Sequence, residues 1–261
     1  MTALQRPVST MLGMALALTL GGCGGGGDSG PAPAQAPAQP PPSASTSAEG
    51  LYSGSMNTNR TVLAVVLDDG TYYFFYSVPA NPNLIAGVIQ GNGTSTNGTF
   101  TSVNTKDFNA EGFGVLDPTI SASYAARQSL GGSLTYPGTS VTFTSVFNPA
   151  YDLAPSLASL AGTYTGQAGS AGGVQPATVT ITSTGGFTGV EADGCVITGT
   201  ATPRVRGNLF DFSATFGAAP CEFIGTTFVG HAYLDVTTRR LYAAAPASNR
   251  TNAVIFSGTK P

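Results

Sequence analysis

A chain of 261 residues with 10 Lys and Arg against 13 Asp and Glu, a formal net charge of −3, lacks the clustered basic side chains that phosphate binding relies on, which argues against nucleic acid as a partner. Only 9% of residues are charged and Trp is absent, so the outward faces must be wetted mainly by the hydroxyls and amides of Thr, Ser and Asn. The length allows one large or two small domains behind a leader.

In chain order the leader comes first. Arg6 and the amino terminus make a weakly basic n-region, Met11 to Leu20 an apolar h-region, and small residues follow. The apolar stretch is too short to cross about 30 Å of hydrocarbon, which takes roughly 20 helical residues. Its end, Leu20-Gly21-Gly22-Cys23, resembles the lipobox of bacterial lipoproteins. The resemblance implies a signal peptide over residues 1–22, cleavage after Gly22 and acylation of Cys23, so that the membrane is a partner through lipid. Two or three acyl chains would hold the protein stably, because each buried methylene contributes about 0.8 kcal/mol. Gly24 stands where family members kept at the inner membrane often have Asp, which implies an outer-membrane lipoprotein, periplasmic or surface-exposed.

Residues 23–48 switch to a glycine run followed by Pro31, Pro33, Pro37, Pro40, Pro41 and Pro42 among Ala, Gln and Ser. Such a composition cannot bury enough apolar area to offset its ordering entropy, and it reads as a disordered tether, part flexible coil and part polyproline spacer. Gly27-Asp28-Ser29-Gly30-Pro31 within it looks like the nucleophile loop of trypsin-like serine proteases. A serine in a tether has no rigid scaffold to place a base and an oxyanion hole against it, so the match is assigned to chance.

From residue 49 the sequence reads as all-β. In a first domain, 49–148, Val62 to Leu67 and Tyr72 to Val78 flank Asp69-Gly70, a hairpin signal expected to form a type I′ turn. Tyr72, Tyr73, Phe74, Phe75 and Tyr76 make both faces of the second strand aromatic, which fits either packing against a neighbouring domain or an exposed contact patch. Asn97-Gly98 and Pro137-Gly138 mark later turns, and Val141, Phe143 and Phe147 alternate with Thr142, Thr144 and Val146. Residues 149–161 form a linker in which Ala150 to Leu160, with Leu153, Leu157 and Leu160, is the sole helical candidate.

A second β domain, 162–261, opens as the first did. Gly162-Thr163-Tyr164-Thr165-Gly166 echoes Gly50-Leu51-Tyr52-Ser53-Gly54, and about eight strand candidates lie on each side of the linker. Phe210, Phe212, Ala214 and Phe216 alternate with Asp211, Ser213 and Thr215, as half-buried antiparallel strands do. Closing such strands removes aggregation-prone edges, so two tandem antiparallel up-and-down barrel-like units are expected. The Gly-x-Tyr-x-Gly start followed by Val179 to Gly189 is loosely similar to the first hairpin of avidin-like and other calycin barrels. Short strands with threonine on their outer faces, and the Ser257 to Pro261 end without an aromatic terminus, argue against an integral outer-membrane barrel.

With Cys23 given to lipid, Cys195 and Cys221 remain as a pair in an oxidising compartment and are expected to form a disulfide, closing a loop worth roughly 3 kcal/mol. A redox couple would favour closer spacing, and a metal site needs more ligands than these two and the single histidine, His231. His231 shares a strand face with Val229, Tyr233 and Asp235 and is expected to point outward into solvent. A His231–Asp235 pair could tune a base, but no nucleophile accompanies it, and Asp68, Asp69, Glu191 and Asp193 sit at turn-like spots where carboxylates serve local hydrogen bonding. No catalytic residue, cofactor or metal is assigned. The expected function is a noncatalytic cell-envelope binding or surface-interaction module for an unknown protein or small ligand. The alternative is an inhibitor or assembly factor for an envelope enzyme, similar in general build to the small barrel lipoproteins that block lysozymes.

Overall fold

The computed structural model describes residues 46–261. The leader, Cys23, the Gly27 to Pro31 motif and nearly all of the tether lie outside the described residues.

The first eleven strands are β1 (Gly50–Met56), β2 (Arg60–Val66), β3 (Thr71–Val78), β4 (Asn81–Asn92), β5 (Thr94–Thr96), β6 (Thr99–Ser102), β7 (Lys106–Asn109), β8 (Gly114–Leu116), β9 (Thr119–Ala125), β10 (Ser129–Tyr136) and β11 (Thr139–Phe147). They build one antiparallel sheet in the order β5-β6-β9-β10-β11-β1-β2-β3-β4-β7-β8. The sheet curls on itself, bringing Phe100 of β6 to 5.6 Å from Tyr72 of β3, ring centre to ring centre. It stays open as a half barrel, and its edge strands are only three residues long, which limits the unpaired backbone they present.

A 3-10 turn (Pro149–Asp152) and a single turn of helix, α1 (Leu157–Leu160), lead to the second unit. Ser156 caps that turn by accepting a hydrogen bond from the Ser159 amide. Strands β12 (Gly162–Ser170), β13 (Gly173–Ile181), β14 (Gly186–Glu191), β15 (Val196–Pro203), β16 (Phe210–Phe216), β17 (Thr227–Asp235), β18 (Arg240–Pro246) and β19 (Ala253–Thr259) meander in sequence order and close as β19 pairs with β12. The second unit is thus an eight-stranded up-and-down barrel. The Cys195–Cys221 disulfide is formed, buried beside Phe216 and Phe228.

The echoed pentapeptides do the same job twice. Tyr52 and Tyr164 are fully buried, and each hydroxyl donates to the carbonyl four residues upstream, Ala48 at 3.0 Å and Leu160 at 2.7 Å. Burial pushes both phenols up to about 12. The glycine two residues later lets the neighbouring strand approach. A Cβ at Gly54 would lie 1.9 Å from the Thr144 carbonyl oxygen, and one at Gly166 2.0 Å from that of Ser257.

Apolar cores fill the half barrel (Tyr52, Phe74, Phe100, Phe143) and the barrel (Tyr164, Phe210, Leu234). Between them, Leu51, Val65, Tyr73 and Phe75 of the sheet pack with Tyr233, Ala244 and Ile255 of the barrel. Strand β3 therefore has a core on each side. Tyr72, Phe74 and Tyr76 face into the half barrel, and Tyr73 and Phe75 face the barrel wall. This corrects the exposed-patch expectation: Tyr72, Tyr73, Phe74, Phe75 and Tyr76 are all buried, none more than 5% exposed, because an aromatic strand sandwiched between two cores leaves neither face to solvent.

The β2–β3 turn is corrected too. Of Asp68, Asp69 and Gly70 only the glycine has positive φ, 83°, and the Gly70 amide bonds to the Leu67 carbonyl. That is a three-residue loop with a type I turn closed by a left-handed glycine, in place of type I′. Asn97-Gly98, with φ of 50° and 80°, does have positive values at both positions.

Candidate functional site

His231 does project outward from the barrel, but not into solvent. The half barrel covers it, and the side chain is only 19% exposed. Its Nδ1 lies 3.0 Å from the Tyr73 hydroxyl, and its Nε2 lies 3.0 Å from Arg204 Nη1 and 3.1 Å from Asp211 Oδ1. Nε2 thus faces both a donor, Arg204, and an acceptor, Asp211, while Nδ1 meets the Tyr73 hydroxyl. Burial and the adjacent Arg204 charge hold the imidazole below its ordinary pKa, against the opposing pull of Asp211, Asp69 and Asp68. Arg204 completes the cluster by donating to Asp211 at 2.8 Å and to Asp68 at 3.1 Å, joining barrel to sheet.

The His231–Asp235 pair weighed from the sequence does not form. Asp235 turns to its own loop and accepts from the Thr237 and Thr238 amides. The carboxylate that reaches His231 is Asp211, its register partner on β16, a relation that no spacing along the chain encodes. With both ring nitrogens held by neighbouring side chains, the histidine works as a joint between the two units.

The other carboxylates are likewise engaged. Asp69 accepts from the Thr71 amide; burial raises its pKa, but the hydrogen bonds to Thr71 outweigh this and leave it lowered. Glu191 accepts from Gln175, Asp193 from the Cys195 amide and Glu222 from Ser170, around one mouth of the barrel. Burial, then Asp193 and Glu222, raise the Glu191 pKa. Asp107, unremarked in the sequence, is buried in the half barrel, where Tyr76 and Tyr136 donate to its two oxygens at 2.7 and 2.8 Å. Among the described residues no cluster of three His, Cys, Asp or Glu is placed to hold a metal ion.

The barrel interior is largely filled. Phe187, Phe212, Phe216 and Phe256 project into it and leave an almost wholly apolar cavity of about 100 Å³. That is well below the roughly 300–1,000 Å³ of ordinary small-molecule sites, so the interior gives no support to lipocalin-like carriage.

A groove of about 450 Å³ runs instead between the two units. Strands β1 to β4 supply one wall, including Ser53, Thr61, Phe75 and Asn83, and β17 to β19 the other, including Tyr233, Arg240, Tyr242 and Ser257. The Tyr242 ring lies 5.7 Å from Phe75 and 6.5 Å from Tyr233, nearly parallel to the latter. Arg240 sits over Tyr242 and donates to the carbonyl of Asn83 across the groove at 2.8 Å. Ser257 is 6% exposed, and its Oγ has no hydrogen-bond partner. A buried hydroxyl left unpaired costs about 1–3 kcal/mol, so an orphan lining a groove is the mark of a position kept for something other than stability.

Of these groove residues only Phe75, in the aromatic strand, stood out in the sequence. They come from seven strands, and each of the others alone reads as an ordinary outward position of a β-strand. The alternation Ile255, Ser257, Thr259 signals an outward face but carries nothing about what that face meets.

No protein-family model matches the chain, and no curated protein matches its sequence.

Proposed function

We propose that this protein is a noncatalytic, lipid-anchored module of the bacterial outer membrane that holds a small ligand in the groove between its half barrel and its barrel. The observation that carries the binding reading is the buried, unpartnered Ser257 hydroxyl in a groove of ligand-site volume. The engagement of His231 and of the turn carboxylates by their own neighbours supports a noncatalytic role. The lipobox-like Leu20 to Cys23 stretch and the Gly- and Pro-rich segment after it support lipid anchoring on a tether.

Anchoring is tested by fractionation. The Cys23→Ser variant, expressed in a Gram-negative host, is expected to leave the membrane pellet for the soluble fraction, and continued membrane retention overturns the lipid assignment. The groove is tested on the mature chain carrying Cys23→Ser, by two-dimensional NMR against a mixed library of small polar and aromatic probes. Shifts are expected to cluster at Tyr233, Tyr242 and Ser257. Shifts confined to the acidic mouth of the barrel, or none, remove the groove as the binding site.

A further inference from the structure

We infer that the groove's ligand is a neutral saccharide. The inference rests on the groove being the binding site and adds the chemistry of what it takes. The first support is hydrogen bonding. Ser257 Oγ is buried without a partner, and the Tyr233 ring is buried in the groove wall. A hydroxyl both donates and accepts, so this unused hydroxyl beside the alcohols of Ser53, Thr61 and Thr259 is matched most fully by a ligand that is itself made of hydroxyls. An apolar ligand would leave the Ser257 hydroxyl unpaired and further from water.

The second support is the apolar part of the wall. Phe75, Tyr233 and Tyr242 form a run of rings, with centre distances of 5.7 and 6.5 Å on either side of Tyr242. A flat ring packs against the C–H face of a sugar while hydroxyls at the rim meet its polar edge, and aromatic side chains give that contact area at little conformational cost. The third support is charge. The lining holds one cation, Arg240, and one anion, Asp235, so its formal charge cancels. Both hydrogen-bond to neutral groups of the protein, Arg240 to Asn83 and Asp235 to the Thr237 and Thr238 amides, and a lining of zero net charge favours no ionic ligand of either sign.

The test uses the mature chain carrying Cys23→Ser, titrated with glucose, galactose, mannose, N-acetylglucosamine, maltose, lactose and cellobiose. Glucuronate, glucosamine and indole serve as anionic, cationic and apolar comparisons. At least one neutral sugar is expected to move the Tyr242 and Ser257 resonances saturably and more strongly than all three comparisons. Ser257→Ala is expected to weaken that sugar about threefold to tenfold, the loss of one hydrogen bond, while its melting temperature stays equal to or above the parent's. Unchanged sugar affinity in Ser257→Ala overturns the inference. So does a groove that responds only to indole or to the charged probes, a result that leaves the binding site standing and removes its saccharide. A groove that responds to no probe removes both.

Discussion

Protonating His231 would set a second cation against Arg204, 3.0 Å from its ring, inside a half-buried joint faced by Asp211 on the barrel and by Tyr73, Asp68 and Asp69 on the sheet. The folded pKa lies below the ordinary value of about 6.5, so between the two values the unfolded chain binds a proton that the folded chain refuses. The stability that His231 contributes is present above about pH 6.5 and is lost as pH falls toward the folded value. Thermal melts are expected to show a midpoint that drops as pH is lowered below about 6.5, with His231→Gln flattening that part of the profile. Equal slopes in parent and variant would place the pH response at another group, and neither Glu191 nor Asp107 supplies it. Those raised carboxyl pKa values act in the opposite sense, favouring the fold as pH falls through the acidic range.

At the scale of elements, the opening strand of each unit is pinned by one phenol. Tyr52→Phe and Tyr164→Phe keep the ring and remove the hydrogen bond to Ala48 or Leu160, leaving a buried carbonyl short of its donor. Each is expected to cost about 1–2 kcal/mol, or a few degrees of melting temperature for a body this size. Chemical denaturation reads the loss, and effects that are large in one unit and nil in the other would show that the two strands are not equivalent. The pentapeptide echo marked the two opening strands as copies of one unit, and the fold shows what each copy does: the tyrosine pins the carbonyl four residues upstream and the glycine admits the neighbouring strand. The β2–β3 hairpin was legible only as a turn. Asp69-Gly70 marks the position, but the loop length that selects the turn type depends on how the flanking strands pair.

At the scale of the whole molecule, half barrel and barrel share the layer in which Tyr73 and Phe75 meet Tyr233, Ala244 and Ile255. Neither unit can leave without exposing that layer to water, so one cooperative unfolding transition is expected in calorimetry of the mature Cys23→Ser chain. Phe75→Ala is expected to lower that transition by about 3–5 kcal/mol without splitting it. Two resolved transitions in the parent would mean that the shared layer is too weak to couple the units.

The sequence by itself determined the β class, the tandem arrangement of two units and the pairing of Cys195 with Cys221, because alternation, turn residues and cysteine number are local properties. Only the tertiary structure decided that the first unit stays open with eleven strands, that Tyr72 to Tyr76 are covered on both faces, that His231 meets Asp211 in place of Asp235, and that a groove with an orphan hydroxyl lies between the units. Each of those depends on which outward face packs against which. A period of two separates the faces of a strand, and the partner of a face is fixed by register and docking between separate segments, which no local pattern records.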